Sequence, residues 1–348
     1  MLTEAADYVL GVDTHAERHA LALVETDTGS LLLEGELPTC HAGYAGALAL
    51  ARAQARGRRV WAVEGCGSYG AGLVRFLHAH GEVVLEVDRP RRVGRDARAK
   101  SDPLDALRAA RALIAGESLA EPRAGGDREA LRVLLVTREA AVCVHRAALN
   151  ELRALLVGAP EELRERLRSC TPKTLARECL RLRPDRRQSP QLRATRLALR
   201  LCAHRAQSAR NEASTLEREI RRLVETMAPG LLGLPGIGPI SAGFVLLAWS
   251  HPGRVRSESA FARLAGAAPL PASSGKVIRH RLDRGGDRRL NRALHTIVLS
   301  RRRSDPATVA YIERRVAEGK SEREAVRCLK RYLARSLFRT LESGLAMA

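Results

Sequence analysis

The sequence has no cysteine pair at C-x-x-C spacing and no apolar run approaching the roughly 20 residues that a membrane-spanning helix needs. Its seven cysteines are scattered and odd in number, so they indicate neither a disulfide framework nor a zinc site. Glu4 and Asp7 lie where a secretory signal peptide would be basic. We therefore expect a cytoplasmic protein with reduced cysteines and no membrane partner.

Acidic residues and lysine are both scarce. The 348 residues include 59 lysines and arginines against 39 aspartates and glutamates, and only five of the 59 cations are lysines. Coding bias in a GC-rich genome explains arginine in place of lysine, but it does not explain the excess over acids. The net charge of +20 attracts polyanions, which makes nucleic acid the first partner to consider.

The chain is longer than the roughly 250 residues at which a single hydrophobic core stops growing. We expect two globular parts joined by a connector, with divisions at 1–120, 121–229 and 230–348. The first part mixes strand and helix patterns, the second reads as helix throughout, and the third is mainly helical and strongly basic.

Residues 1–120 begin with three Val- and Leu-rich runs separated by turn-forming residues, which predicts an antiparallel meander. Helices are predicted over 44–54, at "YGAGLVRFLHAH" and from about Ser101, and further strands at "RVWAVEG" and "EVVLEV". A meander followed by alternating helices and strands predicts a mixed sheet flanked by helices. This order is typical of the α/β ribonuclease H-like fold.

Residues 121–229 have apolar positions at helical spacing, with Leu216, Ile220 and Leu223 forming one seam. Two interpretations stay open, because the seam is shorter than the several heptads that define a coiled coil. One is a plain helical bundle, and the other is a long helical arm that serves in dimerisation. The Pro- and Arg-rich stretch over 181–194 predicts a break between helices.

The segment "LPGIGPISAGF" near the start of 230–348 fits a helix-hairpin-helix, in which a glycine turn presents backbone N–H groups to a phosphate. Gly236 and Gly238 are expected to supply positive φ angles and close approach there. The alternative is a tight turn between packing helices. The basic stretch that follows contributes further candidate phosphate-binding residues: Lys276, Arg279, Arg281, Arg284, Arg288, Arg289 and Arg292.

Four acids occupy positions that a sheet of this kind brings together. Asp13 ends the first predicted strand and Glu64 the fourth, and these strands are neighbours in a ribonuclease H-like sheet. Asp102 and Asp105 share one face of the following helix, because residues three apart lie side by side. Converging carboxylates repel unless a cation relieves them, and hard oxygen ligands select Mg²⁺ or Mn²⁺. The alternative is ordinary helix capping and unrelated strand-end acids.

The sequence around these acids resembles the DEDD transposases of bacterial insertion sequences, whose N-terminal domain is like a Holliday-junction resolvase and whose C-terminal domain carries a serine. The resemblance covers nearly the whole chain. Cys66 and Ser101 stand where the family usually has threonine, which removes no carboxylate. The matching segments are "GVDTH" with Asp13, "VEGCGSYG" with Glu64, "EVDRP", and "AKSDPLDA" with Lys100, Asp102 and Asp105.

The resemblance implies a mechanism and partners. It implies that Ser274, which precedes a glycine in "PASSGK", attacks a DNA phosphodiester, although Ser273 is one residue away. The four carboxylates would hold Mg²⁺ or Mn²⁺, Lys100 would bind nucleic acid, and strands would exchange through a four-way junction. The resemblance also implies guidance by a structured bridge RNA and assembly as a dimer or tetramer.

Other functions stay open. A metal-dependent junction endonuclease would use the same carboxylates with water in place of serine. A non-catalytic nucleic-acid-binding regulator would need only the charge. A sugar kinase is less favoured, because no second glycine-rich phosphate loop follows "GVDTH" before the helical region.

Overall fold

We describe the protein from a computed structural model. The described residues are 6–87, 102–116, 119–123, 125–271, 280–281, 283 and 285–344. The chain divides into two compact units, Met1–Gly125 and Gly126–Ala348. The finer three-part division at residues 120 and 229 stays a prediction.

The N-terminal unit contains a mixed six-stranded sheet in the order β3-β2-β1-β4-β5-β6. The first three strands form the predicted antiparallel meander, β1, β4 and β5 run parallel, and the short β6 pairs antiparallel with β5. The predicted mixed sheet is confirmed. The strands are β1 (Tyr8–Asp13), β2 (Arg18–Glu25), β3 (Leu31–Pro38), β4 (Arg59–Glu64), β5 (Val83–Val87) and β6 (Leu119–Ala120).

Helices cover both faces of this sheet, which explains why β1 and β2 are apolar at nearly every position. On one face α1 (His41–Gln54) and α2 (Ala71–Ala79) pack against Leu10 and Val12 of β1. On the other face α3 (Asp102–Ile114) packs against Val9 and the small residues of β2. Alternate residues of each strand therefore enter two separate cores.

The approach of α3 to β1 is unusually close at Gly11. A Cβ atom at Gly11 would lie 2.0 Å from the carbonyl oxygen of Ala106 and 2.7 Å from the backbone nitrogen of Ala110. The facing residues Ala106 and Ala110 are fully buried. Only glycine in the strand and alanine in the helix permit this separation, so these residues set the height of α3 above the sheet.

Glu82, just before β5, is buried among polar partners at the opposite end of the sheet from the ends of β1 and β4. Its carboxylate accepts hydrogen bonds from Arg59 Nη2 at 2.9 Å and Trp61 Nε1 at 3.0 Å, and Arg52 Nε lies 3.4 Å away. Burial alone would raise the pKa of Glu82. The hydrogen bonds and the charges of Arg59 and Arg52 outweigh it, so the pKa lies below its ordinary value.

The second unit begins with a long antiparallel helix pair, α4 (Gly126–Val157) and a later helix of 38 residues, Pro190–Met227. Arg138 binds Glu217 near one end of the pair, and Arg205 binds Glu151 further along. Two short helices, α5 (Glu161–Leu167) and α6 (Pro172–Leu180), lie between them. The predicted helix break is confirmed, and the second long helix, α7, starts at its end with Ser189 as N-cap.

The predicted seam on α7 packs within the chain. Ile220 is fully buried in the core that also contains Leu131 and Leu135 of α4, and Leu223 packs against that core. The seam therefore packs against α4.

The remaining elements of this unit are α8 (Pro229–Leu232), α9 (Pro239–Trp249), α10 (Glu258–Leu264), β7 (Leu270–Pro271), β8 (His280–Arg281), α11 (Arg288–Ser304), α12 (Pro306–Ala317) and α13 (Glu322–Glu342).

Nearly every side chain of α9 is buried, and α4, α7 and α11 pack against it. Side-chain caps define where the outer helices start: Asp287 accepts from the amides of Arg289 and Leu290, and Ser321 forms a capping box with Glu324. Among the described helices, none combines the length and the hydrophobicity that crossing a membrane requires.

Replacing Gly11 tests the close approach of α3. Gly11→Ala is expected to lower the free energy of unfolding of the N-terminal unit by about 1–3 kcal/mol, because α3 must move away from the new methyl group. Gly35→Ala on β3, where a Cβ meets nothing within 4 Å, is the matched control and should change it by less than about 0.5 kcal/mol. Urea unfolding followed by Trp61 fluorescence in a Trp249→Phe background measures both. Equal stability of the two variants would contradict the steric argument.

Replacing Glu82 tests the buried ion-pair network. Because its pKa is lowered in the folded protein, Glu82 stabilises the fold above its unfolded pKa, and this contribution is lost as the pH falls through the lower folded value. Glu82→Gln should therefore cost about 2 kcal/mol at pH 7 and progressively less below about pH 4. The same fluorescence assay measures it, with the exposed Glu34→Gln as control. A cost that does not vary with pH would argue against the ionic contribution.

Candidate metal centre

Asp13 and Glu64 lie at the same edge of the sheet. They end the parallel neighbours β1 and β4, whose register pairs Val12 with Val63. Asp13 is 7% exposed and Glu64 is half-buried. Thr14 Oγ1 donates a hydrogen bond to the carbonyl oxygen of Glu64 at 2.9 Å, which ties the two strand ends together. The two carboxylates therefore project from a fixed edge.

Asp102 and Asp105 occupy the first turn of α3, which the contact at Gly11 holds against β1. Asp102 is exposed, and Asp105 is half-buried and accepts a hydrogen bond from Arg108 Nη1 at 2.6 Å. Acids in the first turn are favoured by the helix dipole, so the local sequence stabilises this arrangement by itself. The packing of α3 then decides that they face the sheet edge.

His15 joins the cluster, although it is not among the site residues predicted from the sequence. Its Nε2 lies 3.0 Å from Asp13 Oδ2 and 3.5 Å from Asp102 Oδ1. The backbone N–H of His15 donates to Nδ1 of the buried His19, whose ring stacks on Tyr44. The sequence signal that could have identified His15 is its position two residues after Asp13, since residues two apart lie on the same side of an extended segment.

The electrostatics of Asp13 show that Glu64 and Asp105 act on it. Burial raises the pKa of Asp13, its contact with His15 opposes this, and the negative charges of Glu64 and Asp105 raise the pKa further. Asp102 is linked to Asp13 through the imidazole of His15. The structure therefore brings the four predicted carboxylates to one region. Their catalytic role stays a prediction.

The donor set fits a hard divalent cation. One ligand atom from each of Asp13, His15 and Asp102 lies within 4.8 Å of the others, and the carboxylates supply the oxygen donors that Mg²⁺ and Mn²⁺ prefer. A cation here would oppose the burial and the repulsion that together raise the pKa of Asp13. Imidazole is a poor ligand for Mg²⁺, so His15 fits better as a hydrogen-bond partner that orients Asp13.

The predicted glycine turn packs tightly inside the second unit. Gly236 has φ +73°, and a Cβ there would lie 2.8 Å from Arg301 Cγ and 3.0 Å from the carbonyl oxygen of Ile297. The expected positive φ at Gly238 is wrong, because its φ is −101°. The amide of Gly238 donates to Ser241 Oγ at 3.1 Å, as the start of α9 requires. These contacts favour the alternative of a tight turn between packing helices.

The predicted phosphate-binding arginines differ in their surroundings. Arg281 and Arg288 are exposed. Arg289 Nε lies 2.8 Å from Glu139 Oε2, and Arg292 binds the same carboxylate while its guanidinium lies 5.7 Å from the ring centroid of Phe244. Glu139 therefore already partners two of the cations. Further predicted site residues lie outside the described residues, and their roles stay predictions: Lys100, Ser273, Ser274, Lys276, Arg279 and Arg284.

Calorimetric titration with MgCl₂ and MnCl₂ tests the metal centre. Asp13→Asn is expected to weaken binding of both ions by at least about 10-fold, the loss seen even for residues that only support a ligand. His15→Gln, which keeps a polar side chain beside Asp13, should cost less. Asp27→Asn, an exposed acid in a turn, is the control and should bind as the parent does. Equal metal affinities for the Asp13→Asn and Asp27→Asn variants would contradict a metal site at Asp13.

Comparison with known proteins places both units in one family. A transposase model of the DEDD type, named for IS110, matches residues 10–159, and the model of the transposase IS116/IS110/IS902 family matches 228–313. A 43.6 kDa protein of insertion element IS110 from Streptomyces coelicolor is 33% identical over 132 residues, which are 37% of this chain and 33% of that protein.

A 42 kDa protein of insertion element IS900 from Mycobacterium paratuberculosis is 35% identical over 103 residues, covering 29% of this chain and 26% of that protein. The matched stretches thus span about a third or less of these relatives. The first family model includes the strands, the helix and the acids of the candidate metal centre, and the second begins where α7 ends. The chain therefore belongs to the IS110 family of DEDD transposases.

Proposed function

We propose that this protein is a DNA transposase that cuts and exchanges strands at the cluster of Asp13, Glu64, Asp102 and Asp105, with Ser274 as nucleophile. The observation that carries the proposal is the convergence of these four acids in a chain of net charge +20. An acidic cluster repels a polyanion unless a cation is bound to it. Such a cluster in an otherwise basic protein, which attracts nucleic acid, favours metal-dependent chemistry on a phosphodiester.

The ribonuclease H-like assignment is part of this proposal. It is supported by the sheet order β3-β2-β1-β4-β5, with a leading antiparallel meander and parallel β1, β4 and β5. It is also supported by the edge position of Asp13 and Glu64 at the carboxyl ends of adjacent parallel strands. Ligands of such sheets characteristically lie beyond the carboxyl ends of the strands.

The residues divide the work at the site. The divalent ion would be held by Asp13 and Asp102, with Glu64 and Asp105 beside them. When bound, it supplies Lewis-acid stabilisation of charge on a phosphate oxygen. His15 orients Asp13 through the 3.0 Å contact, and Thr14 fixes the end of β4. Because strands and a packed helix position these side chains, little reorganisation is needed when DNA arrives.

The serine step follows from the resemblance to the family. Ser274 Oγ attacks phosphorus, a bond between serine and the 5′ phosphate forms, and the bond to the 3′ oxygen breaks. Serine loses its proton in this step, and the departing 3′ oxygen gains one. A serine hydroxyl is a weak nucleophile, so the surrounding guanidiniums and the carboxylate site are the proposed source of its activation.

Guidance by a structured RNA and assembly as a dimer or tetramer complete the proposal. The high positive charge suits contacts to the nucleic-acid backbone, and the sequence has no evident base-reading motif. Both features support selection of the DNA sites by base pairing with the RNA. Leu197 and Leu201, one turn apart on α7, are 47% and 55% exposed. These exposed apolar residues support the long helix pair as a candidate interface between subunits.

Recombination in vitro tests the proposal. Protein with its element's RNA and paired DNA ends should form recombinants, and Asp105→Asn should slow them by at least about 100-fold, a typical cost of removing one group that stabilises a transition state. Ser274→Ala should abolish them. Asp27→Asn is the control. Normal recombination rates in both Asp105→Asn and Ser274→Ala would contradict the proposed mechanism. If Ser273→Ala is inactive while Ser274→Ala is active, the nucleophile is Ser273.

A hydrolytic junction endonuclease is the second candidate, because the carboxylates alone would support it. Denaturing gels after reaction with end-labelled DNA distinguish the two. The serine route leaves a protein–DNA adduct that survives denaturation, whereas hydrolysis leaves free 5′ phosphates.

A further inference from the structure

A groove of about 1160 Å³ lies within the second unit and is lined by residues of α11 and α13, by residues 266–269, and by Arg281, Asp283 and Gly285. Of the described residues that line it, eleven are arginine or lysine and three are acidic. This is a far larger excess of positive charge than in the whole chain, where 59 cations face 39 acids. The groove therefore concentrates a positive potential that attracts anions.

Some of these cations already have carboxylate partners. Arg335 binds Glu258, and Arg302 binds Glu322. By contrast, Arg323, Arg327 and Arg331 of α13 are exposed and make no ion pair with any residue that the structure describes. They recur every fourth residue, so they form one row on the helix, about 6 Å apart along its axis. Like charges at this spacing repel, and an anion lying along the row would relieve the repulsion.

Lys330 lies partly buried on the same side of α13, and it lines the groove. Its Nζ donates to Asn291 Oδ1 at 2.5 Å, a neutral acceptor, and the described residues give it no carboxylate. Asn291 is itself held by donation of its Nδ2 to the carbonyl oxygen of Ala265 at 2.6 Å. Burial and the charge of Arg327 lower the pKa of Lys330, as expected for a cation without an anion.

The lining also indicates which part of a nucleic acid would bind. Tyr332, 56% exposed, is the one tyrosine, phenylalanine or tryptophan among the described residues of the groove. Proteins that hold single strands rely on several aromatic side chains on which bases stack. A row of arginines with one aromatic side chain suits contacts to phosphates, which position a duplex without reading its bases.

We propose that this groove binds the sugar–phosphate backbone of duplex DNA, with Arg323, Arg327 and Arg331 as a row of phosphate contacts and Lys330 beside them. The proposal rests on the proposed function, because it assigns a path for the DNA substrate in the second unit. It adds residues of α13 that neither the serine loop nor the carboxylate cluster includes. Binding by these residues needs no divalent ion.

Duplex binding measured by fluorescence anisotropy in EDTA, over a series of salt concentrations, tests the groove. Replacing Arg323, Arg327 and Arg331 together by glutamine should make the plot of log affinity against log salt shallower by about 3, since each lost phosphate contact removes about one unit of slope. Lys330→Met should remove about one unit. The control replaces Arg153, Arg193 and Arg210 by glutamine, three exposed arginines of α4 and α7 without described ion pairs, for the same change in charge.

The outcomes separate this proposal from the transposase mechanism. Equal salt slopes for the α13 variant and its control would contradict duplex binding by the groove, even if recombination proceeds normally. A loss confined to structured RNA, with duplex DNA binding intact, would also overturn it. Because the assay contains no divalent ion, inactive Asp105→Asn protein that binds duplex normally leaves the groove proposal standing. Failure of the carboxylate chemistry would appear only in the recombination assay.

Discussion

The contact between α3 and β1 is the constraint on which the candidate site depends. Gly11 has no side chain, and the backbone of α3 at Ala106 and Ala110 fills the space that a Cβ would need. The helix therefore lies low enough on the sheet for Asp102 to meet the histidine that contacts Asp13. A larger residue in the strand would lift the helix and separate acids that lie about 90 residues apart in the chain.

Charge is arranged in opposite ways in the two units. In the first, acids gather where burial and mutual repulsion raise the pKa of Asp13, an arrangement that a bound cation would stabilise. In the second, guanidiniums gather along α13 with fewer carboxylates than cations around them. Both arrangements cost stability in the isolated protein. Each would be relieved by its complement, a divalent ion in one case and a polyanion in the other.

Close packing also gives structural contacts to residues that the sequence suggested for phosphate binding. Gly236 accommodates α11 at a distance that no side chain permits, and the amide of Gly238 is used to start α9. Arg289 and Arg292 reach across to Glu139 on α4. A glycine turn and a run of arginines look alike in sequence whether they face a ligand or a neighbouring helix, because both uses need the same backbone freedom and the same charge.

The sequence by itself determined the succession of strands and helices in the first unit and which strand end or helix turn carries each of the four acids, because alternation, turn residues and helical spacing are local properties. Tertiary structure alone decided that His15 bridges Asp13 and Asp102 and that Glu139 binds two of the arginines. It also decided that α13 presents a row of arginines with no ion-pair partner among the described residues. These depend on contacts between distant segments. The pattern of residues within one element carries no record of which neighbour it will meet.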